Sequence, residues 1–66
     1  MKCHIEVRTK SGGIFIGNSN ELSESEYNEA LAFIKKKMEY CNITTIDNNE
    51  IVIRGDSIEA LSLIKD

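Results

Sequence analysis

Cys3, His4 and Cys41 are the cysteine and histidine residues of the sequence, and such side chains are the usual ligands of zinc. A zinc site has about four ligands at characteristic spacings, and at most three are present here. Cys3 and His4 are also adjacent in a predicted strand, so they point to opposite faces and cannot easily contact one ion. We therefore expect no metal and no cofactor, and interpret both cysteines as small core residues.

His4 is also a candidate general base, a role that requires a hydrogen-bonding partner and a pocket. Glu6 and Arg8 lie on the same face of the predicted strand, so an ion pair is the simpler interpretation. The sequence contains no serine or cysteine nucleophile motif, phosphate-binding loop or paired-carboxylate pattern. We therefore predict that the protein is not an enzyme.

Two short motifs have structural interpretations. Arg54-Gly55-Asp56 is an adhesion tripeptide, but a strand end, a hinge and a helix N-cap explain the same residues. Asp47-Asn48-Asn49-Glu50 contains oxygen ligands, but it lacks the length and ligand number of a calcium loop. We interpret it as a turn.

Length and charge favour one soluble folded domain that needs additional stabilisation. A chain of 66 residues forms one domain at most. A core of this size rarely supplies more than about 3–5 kcal/mol. Because neither a disulfide nor a metal is expected, oligomerisation is the first explanation to test. The net charge of −3 disfavours nonspecific nucleic-acid binding, since that affinity comes mostly from neutralising phosphates.

The N-terminal residues resemble a strand rather than a targeting signal. They alternate from Lys2 onward and form no continuous apolar segment. No apolar run in the sequence approaches the roughly 20 residues that a membrane span needs. We therefore expect a cytoplasmic protein that does not interact with membranes and that keeps its cysteines reduced.

Two strands are predicted first. Residues 2–9 alternate between apolar and polar side chains, a period of two that is typical of a half-buried strand. A Lys-Ser-Gly-Gly turn and a short apolar strand then complete a hairpin. Placing Ile16 opposite Val7 turns the isoleucines of the second strand toward the core. Phe15 then points outward, beside Arg8.

The predicted first helix begins with a strong signal. Ser23 is the N-cap and Glu26 follows three residues later, which completes a capping box. Apolar side chains then recur at steps of four and three and predict one core-facing seam that ends near Asn42. The seam residues are Tyr27, Leu31, Ile34, Met38 and Cys41.

The second half of the chain predicts another ββα unit. Residues 43–46 and 50–54 form either a hairpin or one bent strand with a bulge. In the hairpin, Ile46 pairs with Ile51 around an Asn-Asn turn, because asparagine tolerates positive φ. A second capping box at Asp56-Ser57-Ile58-Glu59 then opens a short second helix.

The predicted fold class is therefore α+β with the order ββαββα. We expect one mainly antiparallel four-stranded sheet with both helices packed on one face. Strand order 2-1-3-4 follows if the third strand pairs with the first. Order 1-2-3-4, with a parallel central pair, is the alternative.

Several large side chains fall outside the predicted core. Phe33 and Tyr40 lie well off the helical seam, at roughly 100° per residue. Phe15 and Val52 share the outer sheet face with Arg8. We predict that these five residues contact a partner. Alternatively, the second helix or the C-terminus covers Phe33 and Tyr40, and Phe15 is a single exposed aromatic.

These observations favour a noncatalytic protein-interaction module that forms a homodimer. Small acidic chains rich in isoleucine and asparagine are frequent in phages, prophages and AT-rich bacterial genomes, so the partner could be a host protein. The alternative is a single-stranded nucleic-acid binder that stacks bases on the outer sheet face around Phe15. A small-ligand carrier ranks last, because the chain is too short to enclose a pocket of typical size.

Overall fold

The chain folds into two antiparallel sheets and one α-helix, as seen in a computed structural model that describes all 66 residues. The strands are β1 (Lys2–Thr9), β2 (Ile14–Ile16), β3 (Asn20–Glu21), β4 (Tyr40–Thr44), β5 (Glu50–Arg54) and β6 (Ile58–Lys65). The helix is α1 (Glu24–Ile34), and a single 3₁₀ turn covers Gly55–Ser57. The predicted α+β class with mainly antiparallel pairing is confirmed.

β1 is the centre of the larger sheet because it is paired along both edges. β2 and β3 lie antiparallel along one edge, and β6 lies antiparallel along the other. Cys3 and Val7 point to the inner face of this sheet and are almost completely buried. Helix α1 packs on the same side, where Lys65 Nζ lies 4.7 Å from the centroid of the Tyr27 ring.

β4 and β5 form a separate two-stranded sheet that packs against the inner face of the larger one. The core between the sheets consists of Val7, Cys41, Ile43 and Ile53. A backbone hydrogen bond joins the two layers, from the Asn18 N–H in the loop after β2 to the Thr44 carbonyl of β4 (2.9 Å). Two others extend the ladders within each sheet: the Lys10 N–H donates to Ser57 O (2.9 Å) beyond the end of β1, and the Gly55 N–H donates to Glu39 O (2.7 Å) beyond the ends of β4 and β5.

The N-terminus of α1 is confirmed as predicted. Ser23 Oγ accepts from the Glu26 backbone N–H at 3.1 Å, and Glu26 Oε1 accepts from the Ser23 N–H at 2.9 Å. These bonds satisfy two of the backbone donors that a helix leaves free at its start, and the bond from the Ser23 N–H lowers the pKa of the Glu26 carboxyl. Local sequence is sufficient to begin this helix.

The end of α1 was predicted wrongly. The helix ends at Ile34, about two turns early, and Met38 lies in the following loop. Cys41 belongs to β4, where it lies opposite Ile53 of β5. From Tyr40 onward the side chains alternate between exposed and buried, which is the period of a strand. Cys41 fits both this alternation and the predicted helical seam. Its pairing with β5 makes it a strand residue.

The second helix predicted from Asp56 onward is also wrong. The 3₁₀ turn leads directly into β6, in which Leu61 and Leu63 lie opposite Val7 and Ile5 of β1. This pairing satisfies backbone groups along a strand of eight residues. Tertiary pairing of this extent overrides a local capping signal.

Neither predicted strand order occurs. β6 lies in the segment predicted as the second helix and occupies the second edge of β1, and the hairpin of β4 and β5 forms its own sheet. Both predicted orders lacked a strand in place of β6. Order 2-1-3-4 assigned the second edge of β1 to the hairpin, and order 1-2-3-4 left that edge unpaired.

The first hairpin is confirmed, but its register differs by one residue. Phe15, rather than Ile16, lies opposite Val7. Thr9 N–H donates to Gly13 O at 2.9 Å, so the loop has three residues and carries its positive φ of 95° at Gly12. The predicted pairing had assumed a two-residue turn.

The change of register reverses the two faces of β2. Phe15 packs against the core, whereas Ile14 and Ile16 are exposed. The prediction that Phe15 points outward beside Arg8 is therefore wrong.

The second hairpin is confirmed in preference to a bent strand, again with a shifted register. Ile43, rather than Ile46, lies opposite Ile51. Asn48 adopts a φ of 62°, as expected for an asparagine in the turn. The Thr45 N–H donates to the Asn49 carbonyl at 2.9 Å and closes the loop, which leaves Ile46 exposed.

The register of the first hairpin can be tested by comparing substitutions on its two faces. Phe15→Ala removes a half-buried ring from the core, and we expect a loss of about 2 kcal/mol in the free energy of unfolding. Ile14→Thr, on the exposed face, should change it by less than about 0.5 kcal/mol. Urea unfolding of both variants measures the difference. A larger loss for Ile14→Thr would support the register expected from the sequence.

Gly55 is required by the close approach of two backbone segments. A Cβ atom at this position would lie 2.0 Å from the Met38 carbonyl oxygen, and relief requires movement of the backbone. We expect Gly55→Ala to destabilise the protein by about 1–3 kcal/mol, as overpacking does elsewhere. Thermal unfolding measures the loss, with Asp56→Ala at the next, exposed position as the matched control. Equal stability of the two variants would contradict this close contact.

Candidate functional site

The outward face of the β4–β5 hairpin carries two large exposed side chains. Tyr40 is 57% exposed and Val52 is 61% exposed. Tyr40 lies opposite Arg54, and Asn42 lies opposite Val52. Tyr40 and Val52 are therefore diagonal neighbours, a separation that an aromatic ring can bridge. We call these four residues the hairpin face.

Phe33 is the third large exposed residue among those predicted to bind a partner. It lies one residue before the end of α1 and is 65% exposed. The alternative that the second helix or the C-terminus covers Phe33 and Tyr40 is wrong, because both side chains are more than half exposed. Phe33 belongs to the helix rather than to the hairpin face.

Arg8 lies on the outer face of the larger sheet, away from the hairpin face. Its Nε atom is 3.7 Å from Glu6 Oε1, and both side chains have an isoleucine of β2 opposite them. Ile14 and Ile16 are the exposed apolar residues there, and Phe15 is on the other side. The structure thus brings Tyr40 and Val52 together and separates Arg8 and Phe15 from them. The sequence analysis had turned both isoleucines toward the core, so this exposed pair was not predicted.

His4 is hydrogen-bonded to Asp66 rather than to its same-face neighbours. His4 Nδ1 lies 2.5 Å from Asp66 Oδ1, and Ser19 Oγ donates to the other carboxylate oxygen. These are the residue types of a hydrolase triad, but their connections differ. In a triad the histidine takes the proton of the serine, whereas here Asp66 accepts from both. The cluster ties the end of β6 to β1 and to the loop between β2 and β3.

The two cysteines are free and buried. Burial raises the pKa of the Cys41 thiol, which keeps it protonated and weakens it as a nucleophile. No group of three or more histidine, cysteine or acidic side chains is placed to hold a metal ion.

An open groove of about 570 Å³ is lined by β1, β4, the loop after β2 and Ala30 of α1. Its walls combine apolar side chains with asparagines from the loop after β2 and from β4. The apolar residues are Cys3, Ile5, Leu22, Ala30, Ile43 and Leu63. No carboxylate or lysine lines this groove, and its titratable side chains are Cys3 and His4.

Comparisons with known proteins identify no relative: no family model, curated protein or solved structure matches the chain. The helices present in the structure are too short or too polar to cross a lipid bilayer. The surfaces described above are therefore the basis for a functional proposal.

The Asp66 cluster makes stability dependent on pH. Hydrogen bonds from Ser19 and His4 lower the pKa of Asp66 below its ordinary value of 3.8. A carboxyl group whose pKa is lower when folded contributes stability above the ordinary value, and this contribution is lost as the pH falls through the folded value. The free energy of unfolding of the unmodified protein should therefore fall between pH 5 and about pH 2, and Asp66→Asn should make this fall smaller.

A carbon-detected NMR titration provides the direct measurement. The Asp66 side-chain carboxyl should titrate below its ordinary value of 3.8. Ser19→Ala should move the Asp66 pKa upward toward 3.8. An Asp66 pKa at or above 3.8 in the unmodified protein, or one that Ser19→Ala leaves unchanged, would contradict the cluster.

Proposed function

We propose that this protein is a noncatalytic interaction module that binds a protein partner through the hairpin face. The observation that carries the proposal is the pair of diagonal neighbours Tyr40 and Val52, each more than half exposed on a hairpin whose other side forms the core. A domain with so few fully buried residues, seven of 66, gains most by burying large side chains.

The chemistry of the hairpin face suits protein recognition. Tyrosine and arginine are enriched at protein interfaces, where they combine apolar area with directional hydrogen bonds. Here Tyr40 and Arg54 face each other across the two strands, with Val52 and Asn42 as the next pair. An apolar centre with polar groups at its margin is the usual pattern of such surfaces.

The orientation of Phe15 reduces support for the alternative function. A sheet that binds single-stranded nucleic acid needs aromatic side chains on its outer face for base stacking. Phe15 was the aromatic residue expected there, and it packs against the core. Arg8 is within 3.7 Å of Glu6, and the net charge is −3. Protein binding is therefore the better proposal.

Self-association forms part of the proposed function. The small core and the absence of a disulfide leave a second copy as a source of stability. For the biological setting we propose a phage, prophage or bacterial protein that acts in the cytoplasm on a host protein. That setting rests on composition and size alone.

Partner capture from the native host tests the hairpin face. We expect Tyr40→Ala and Val52→Ala each to reduce capture by about tenfold, as loss of a central interface residue does. Ile14→Ala is the matched control, since it removes an equally exposed apolar side chain from the other sheet. Phe33→Ala measures whether the surface extends to α1. Capture that is insensitive to Tyr40→Ala and Val52→Ala, or is lost equally with Ile14→Ala, would refute this surface.

A further inference from the structure

β6 has one edge that no other part of the chain pairs with. Its neighbour on the other edge is β1, and β6 forms no second ladder. The Asp66 N–H donates to the Lys2 carbonyl at 2.9 Å, so that pair is hydrogen-bonded. Hydrogen-bonded and non-bonded pairs alternate along an antiparallel ladder. The backbone groups of Leu61, Leu63 and Lys65 therefore point away from β1.

The other edge of β1 supports this assignment. The Gly17 N–H donates to the Ile5 carbonyl at 2.8 Å, so Ile5 directs its backbone groups toward β2. Leu63 lies opposite Ile5 and cannot use the same groups. The outward N–H and C=O groups of Leu61, Leu63 and Lys65 also take part in none of the backbone bonds formed by turns and loops.

Natural proteins protect exposed edges with proline, central charges, short strands or bulges. β6 is longer than β4 or β5, with eight residues against five, and contains no proline. Its middle, Ala60–Ile64, carries no charge. The one bulge lies near the start of β6, where Glu59 is the extra residue opposite the step from Arg8 to Thr9. Most of the edge is open to a further strand.

We infer that a second copy of this chain pairs antiparallel with β6, so that two β6 strands join at the centre of one continuous sheet. The occupant is a second copy because the sequence of β6 is complementary to itself when reversed. With Ser62 opposite Ser62 of the second copy, Leu61 lies opposite Leu63. Glu59 then lies opposite Lys65 of the second copy, and the symmetry repeats this pair at the other end.

The register follows from two constraints. Residues whose backbone groups face the open edge must pair with each other, which permits shifts of two residues only. A shift in either direction removes the Glu59–Lys65 pairs, and the shift that centres the pairing on Leu63 also shortens the ladder. Opposite charges placed directly across two strands favour their pairing, and like charges oppose it. Among the permitted registers, the one centred on Ser62 has complementary charge at both ends.

The arrangement leaves the described contacts of each copy in place. Glu59 and Lys65 are both exposed. The Lys65 ammonium lies over the Tyr27 ring on the helix side of the sheet, and an ammonium group has three donors, so it can bind a carboxylate as well. The two-fold axis passes between the two Ser62 residues, perpendicular to the joined sheet, and both helices lie on the same face.

This inference rests on the self-association included in the proposed function, and its test separates it from the hairpin face. Sedimentation equilibrium from micromolar to millimolar concentration should show a monomer–dimer equilibrium. Glu59→Lys and Lys65→Glu should each raise the dissociation constant about tenfold or more, because each creates like-charge pairs at both ends. The unmodified chain remaining monomeric at millimolar concentration would overturn the inference.

Mixing the two variants distinguishes a specific register from general loss of folding. The Glu59→Lys chain carries only positive charges at these positions and the Lys65→Glu chain only negative ones. An equimolar mixture should therefore form a heterodimer at concentrations where each variant alone is monomeric, as measured by native mass spectrometry. The double variant with both changes should again form a homodimer. A mixture that stays monomeric would refute the register.

Amide hydrogen exchange locates the contact. The Leu61 and Leu63 amides should become protected as concentration rises, whereas those of Ala60 and Ser62, bonded to β1, should be protected throughout. Val52→Lys serves as the matched control: it should abolish capture through the hairpin face and leave the dimer intact. Loss of the dimer with Val52→Lys, and not with Lys65→Glu, would place self-association on the hairpin instead.

Discussion

The pairing of β1 along both edges is the constraint on which the rest of the structure depends. β2, β3 and β6 all bond to this strand, and its inner face supplies Val7, the most completely buried residue of the core. β4 and β5 complete the core by covering that face, while α1 contributes no fully buried side chain. The helix is therefore held by half-buried contacts, and the sheets determine the fold.

The elements that were predicted correctly depend on neighbouring residues. The capping box at Ser23, the two hairpins and the left-handed turn at Asn48 each require only a few consecutive residues. The wrong predictions concern segments whose structure depends on contacts with distant parts of the chain. The Asp56 segment carries a helix signal, but it becomes a strand because β1 has an unpaired edge 50 or more residues earlier in the chain.

The candidate site was predicted in part for the same reason. Phe33 and Val52 are exposed where helical and strand periodicity had placed them outside the core, whereas Tyr40 is exposed on β4 rather than on the helix from which it was predicted. Phe15 was misplaced because its orientation depends on whether the loop has two or three residues, and a glycine-rich turn permits either. Composition could not show that Tyr40 and Val52 become neighbours, since that depends on the register of β4 and β5.

The pairing of β1 with β6 also has a consequence for the order in which the chain folds. Cys3 lies opposite Lys65, so the two strands are separated by almost the whole sequence. Contacts of this separation close large loops and slow folding. During synthesis, the hairpin and helix can form early, whereas one edge of β1 stays unsatisfied until β6 leaves the ribosome. A nascent chain is therefore exposed to misassociation at β1 until β6 pairs with it.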